Sequence, residues 1–142
     1  MTVLQQTRHK NKTLAALLAF LLGGLGLHRL YLGGWRDRGL WLHLSCLPAA
    51  LLLSLAAPDA NGFYQLLPII VSGLAGFLQA LVLGLTPDDK WDARHNPGSG
   101  RQSDTRWPVA VVLVATMMIG CGSLIATISR LFDLLYTGGA YG

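Results

Sequence analysis

At 142 residues the chain has room for one compact unit and none for a separate soluble catalytic domain. Hydrophobic residues make up 52% and charged residues only 13%, a balance that excludes an ordinary soluble domain. The net charge of +4 sits between the apolar stretches instead of along them. That argues against a soluble bundle of amphipathic helices and gives no reason to expect nucleic-acid binding.

Four segments carry no Asp, Glu, Lys or Arg: 13–27, 39–57, 63–86 and 108–129. A hydrocarbon core about 30 Å thick needs roughly 20 apolar residues per helix, which three of the four provide. Backbone in lipid must satisfy its own hydrogen bonds, so these segments are expected to be helices. The predicted fold class is an all-α integral membrane protein, a small bundle of three to four transmembrane helices with a glycine-broken first one. In chain order the expected units are 10–57, holding the first two segments, then 58–96 with the third. A flexible linker at 97–107 and a fourth segment with a short tail at 108–142 complete the chain.

The first segment is the shortest. Glycines at 23, 24, 26, 33 and 34 permit a break, so it could enter and return, but a kinked, tilted full span is favoured. No small-x-small cleavage site follows it, so it is expected to be retained despite the basic residues Arg8, Lys10 and Lys12 before it. Pro48 and Pro68 remove backbone donors from the second and third segments and are expected to kink them. The loop 87–107 is basic and the turn 58–62 is not, which places the loop in the cytoplasm and the turn outside, with the tail at 138–142. Trp35, Trp41, Trp91 and Trp107 flank the connectors placed inside, where headgroups suit an indole.

Helices in lipid associate through close approach, so small residues at four-residue spacing are the packing signal. Ala15, Ala19 and Gly23 form one strip. Ser72, Gly76, Ala80 and Gly84 form a longer one, and Gly122 with Ala126 a shorter one. Each could pack within the protomer or between copies. Within the apolar segments, His43 and Gln79 are the candidate polar groups, each expected to bond a neighbouring helix. Cys46 and Cys121 are expected to be buried free thiols. No histidine spacing suggests a metal set, no nucleophile–base pair is visible, and no cofactor is implied.

One stretch is more specific. Lys10-Asn11-Lys12-Thr13 leads into an apolar run, then Gly23-Gly24-Leu25-Gly26-Leu27-His28-Arg29-Leu30-Tyr31-Leu32-Gly33. The pattern of basic start, apolar run, Gly-Gly-x-Gly, His-Arg pair and Tyr-Leu-Gly resembles the TM-two domain family of small membrane proteins. Gly23, Gly24, Gly26, His28, Arg29, Tyr31 and Gly33 carry the resemblance, with Leu30 where the family usually has phenylalanine. The resemblance implies a membrane-embedded module whose biochemical role is poorly defined. The expected protein is a non-enzymatic scaffolding or accessory subunit of a bacterial inner membrane. Its expected partners are the lipid bilayer and either a membrane protein or a second copy. The alternative is a small oligomeric transporter or channel, with His43, Gln79, Ser72 and Thr116 lining its path.

Overall fold

The computed structural model describes residues 8–141, and these residues are all-helical apart from turns and loops. Thr2 and Gly142 lie outside the described residues. Helix α1 spans Lys12–Leu22, its N-terminus capped by the Asn11 side chain, which accepts from Leu14 N at 3.1 Å. It ends in a single 3₁₀ turn, Gly23–Leu25, and at Gly26, whose φ of 73° suits only glycine without strain. Helix α2, Leu27–Gly33, follows at once. A further 3₁₀ turn, Gly34–Arg36, leads to α3, Arg38–Ala56, capped by Asp37 accepting from Gly39 N at 2.6 Å. Helix α4 is Gly62–Leu85, capped by Asn61, and α5 is Asp88–His95. Helix α6, Trp107–Thr137, closes the chain with a left-handed glycine at 138.

Three helices, α3, α4 and α6, are long and apolar enough to cross a membrane. Their outer faces are apolar as lipid requires: Leu42 on α3, Leu78 on α4 and Met118 on α6 all stand exposed. Helix α4 is the centre of the bundle, with α1, α3 and α6 packed around it. Both α3 and α4 continue through their internal prolines, Pro48 and Pro68.

The first segment is where the fold departs from the favoured expectation. Asn11 N, at the start of α1, donates to Tyr31 Oη on α2 at 2.8 Å, and Lys10 Nζ donates to Leu32 O. The two helices therefore form a re-entrant hairpin, and the segment returns to the side it entered instead of spanning. Its tip reaches Gly73 and Ser72, in the middle of α4. The physical reason is the run of glycines, which supplies both the left-handed residue and the room for a tight reversal.

A second finding concerns residues 88–96, which grip the start of α1 and the residues just before it. Lys12 Nζ lies 2.6 Å from Asp88 Oδ1 and donates to Thr86 O at 2.7 Å. Trp91 is fully buried and its indole N–H donates to Lys10 O at 3.0 Å, so it is not a headgroup-layer tryptophan. Asn96 brackets Lys10, accepting from its N–H at 2.6 Å and donating to its carbonyl at 3.1 Å. Asp92 accepts from both the backbone and the hydroxyl of Ser103, each at 2.6 Å. Burial would raise the Asp88 carboxyl, but hydrogen bonds from Lys12 and Thr105 outweigh it and hold it down at about 2.

These contacts fix residues 9–12 to the same side as 86–105. With the hairpin returning, Arg8, Lys10, Lys12, Arg29, Arg36, Arg38, Lys90, Arg94, Arg101 and Arg106 gather on one side, opposite Arg130. Single cysteines at Arg8 and Gln102, in a chain lacking Cys46 and Cys121, should react with an impermeant maleimide from one side of intact vesicles. A cysteine at Asn61 should react only from the other. Labelling of positions 8 and 102 from opposite sides would mean that the hairpin crosses.

Candidate functional site

The polar groups of the apolar segments converge where α2, α3 and α4 meet. Glycines decide how close the elements come. A Cβ at Gly23 would stand 2.6 Å from Gly76 Cα, and one at Gly26 would stand 3.0 Å from His43 Cβ. Backbones in such contact bring Ser72 Oγ within 2.6 Å of Gly24 O, to which it donates. Having spent its proton there, Ser72 must accept from His43 Nδ1–H, 2.7 Å away. His43 Nε2 is then left as an acceptor, and the Gln79 amide nitrogen donates to it at 3.1 Å. The other end of the amide, Oε1, accepts from Arg29 Nε at 2.8 Å and from His28 Nε2. One assignment of protons satisfies the whole chain, from Arg29 and His28 through Gln79, His43 and Ser72 to Gly24.

Burial makes that chain consequential. His28 is 1% exposed, His43 5% and Ser72 4%. His28 Nδ1 is the one fully buried side-chain nitrogen or oxygen without a partner among the described residues. The His28 and His43 rings meet edge to face at 5.7 Å between centroids. Arg29 also faces Asp37, but at 3.8 Å the ion pair is loose.

Each residue of the motif therefore has a physical task. Gly23 and Gly24 admit α4, Gly26 turns the chain, and His28 and Arg29 hold Gln79. Tyr31 receives the N-terminal end of α1, and Gly33 clears the Asp37 side chain, which a Cβ would meet at 2.8 Å. Sequence position alone did not reveal Asp37, which caps α3 beside Arg29, nor the part Lys12, Asp88 and Trp91 play in closing the hairpin.

Residues 8–56 match the family model described as the TM2 domain. This stretch is a TM2 domain. No curated protein and no solved structure matches the chain. The TM2 domain here consists of the re-entrant hairpin and α3, and it is completed from outside its own bounds. Gln79, Ser72 and Gly76, which receive the motif residues, all belong to α4. The candidate packing residues are likewise consumed within the protomer. Ala15, Ala19 and Ala80 are buried, Gly23 meets Gly76, and Gly84 meets Leu113 of α6. Gly122 has nothing near it and Ala126 is exposed, so the α6 strip faces outward.

Two thiol expectations need correction. Cys46 on α3 is only half-buried, and Cys121 is exposed because α6 touches the bundle along one narrow face and turns most of its surface to lipid. Among the described residues no three His, Cys, Asp or Glu side chains come together as a metal would require.

Proposed function

We propose that this multi-pass membrane protein is a non-enzymatic accessory or scaffolding subunit that works through helix–helix contacts. Its setting would be a bacterial inner membrane, with the basic side in the cytoplasm; ten basic residues against one support that orientation. One observation carries the functional reading. Ser72, His43 and Gln79, the side chains a polar path would need there, bond one another and the TM2 hairpin, and they tie that hairpin to two spanning helices. Groups that conduct or transport a solute must exchange their partners for it, whereas these close on each other. A partner, whether another membrane protein or a second copy, would meet the outward face of α6 around Gly122 and Ala126.

The deciding experiment is reconstitution of the purified protein into liposomes, with ion and small-solute flux recorded for the native chain and for Gln79→Leu/His43→Phe. Flux at the protein-free background in both is the expected result. Flux above background that vanishes in the double variant would replace this reading with a channel or transporter.

A further inference from the structure

A pocket of about 340 Å³ opens where the hairpin, α4 and α5 meet on the basic side. Its wall is divided by chemistry. Arg29, His28, Arg94 and His95 line one part, while Leu78 and Val82 of α4 line another. Leu78 and Val82 are also 63% and 59% exposed, so this wall runs directly onto the lipid-facing surface of the spanning helix.

The cations of the pocket are under-used. Arg29 spends only its Nε–H on a hydrogen bond within the protein, to Gln79, and its side chain is 38% exposed. Four guanidinium N–H donors of a planar fork therefore remain available. Arg94 is exposed and has no ion-pair or hydrogen-bond partner among the described residues. The single carboxylate in the wall, Asp37, stands 3.8 Å from Arg29 and already accepts from Gly39 N. Burial, and after it the nearby Arg94 and Lys10, lowers the proton affinity of His95 at the pocket mouth.

We propose that this pocket binds the phosphate headgroup of an anionic phospholipid from the leaflet on the basic side, with an acyl chain along Leu78 and Val82. A guanidinium fork matches phosphate oxygens in pairs, and two cations against one carboxylate leave a net positive site for one anion. The apolar wall continuous with lipid distinguishes a headgroup from a soluble phosphate, which would gain nothing from Leu78 and Val82. The proposal does not depend on whether the protein scaffolds a partner.

The test uses the full chain in vesicles of equal phosphatidylcholine and phosphatidylglycerol, extracted gently and weighed by native mass spectrometry with its retained lipid. The native protein should keep phosphatidylglycerol over phosphatidylcholine. Arg94→Gln should weaken that retention about fivefold, and Arg94→Lys should preserve most of it. Because Arg94 has no partner to abandon, both variants should melt like the native chain. Equal retention of the two lipids, or unchanged retention in Arg94→Gln, would overturn the proposal. Displacement of the lipid by millimolar inorganic phosphate would overturn it too, by making this a site for the free anion.

Discussion

Gly23→Ala and Gly76→Ala should each destabilise the protein by about 1–3 kcal/mol, the usual cost of an added group where nothing can yield. The expectation rests on what the new methyl would meet. At Gly23 it would lie 2.6 Å from Gly76 Cα, and at Gly76 it would lie 2.7 Å from Gly23 C and Cα. Both obstacles are backbone, so no side-chain rotation relieves them. The hairpin must move away from α4, and the separation also pulls Gly24 O from Ser72 Oγ. Close approach is the chief source of affinity between helices in lipid, so the loss is not recovered elsewhere. Gly73→Ala is the control on the same helix, since a Cβ there would meet nothing within 4 Å. Thermal unfolding in one mild detergent would compare the three. Equal midpoints for Gly23→Ala, Gly76→Ala and Gly73→Ala would show that the contact between hairpin and α4 is not tight.

The same contact shows why part of the fold was legible in the sequence and part was not. Uncharged length locates the helices, because lipid enforces it on every spanning segment. Hence α3, α4 and α6 lie where the apolar runs do. The hairpin was harder, because a broken span and a returning loop use the same glycines. What separates them is where Lys10 and Asn11 find partners, and Leu32 O and Tyr31 Oη lie 20 or more residues along the chain. The contacts of residues 88–96 were illegible for a related reason. Their composition is dense in charge, yet Trp91 and Asn96 are spent on the backbone of Lys10. His43 and Gln79 stood out as polar residues in apolar segments. That they bond one another could not be read without knowing that α3 and α4 lie side by side, and the weak ion pair that brings Asp37 to Arg29 is equally a product of the turn at Gly34.

Gln79→Leu should cost about 2–3 kcal/mol, more than a single interhelical hydrogen bond in a membrane usually provides. Leucine fills nearly the same space, so the loss is one of polarity. His28 Nε2, Arg29 Nε and His43 Nε2 would all lose their partner at once, and two of these belong to side chains at most 5% exposed. A buried donor without an acceptor carries its full desolvation cost, which is why this one amide outweighs the average bond. Gln65→Leu is the matched control. Gln65 also lies on α4, but its amide caps Ala57 O at 2.9 Å in the exposed turn, where water can replace it. That change should cost under about 1 kcal/mol. Unfolding in detergent measures both, and hydrogen exchange over 23–33 would show where the loss falls, because the hairpin should loosen before α3 and α4 separate. If Gln79→Leu proves as mild as Gln65→Leu, the amide does not join the three side chains, and the hairpin is held by its glycine contacts alone.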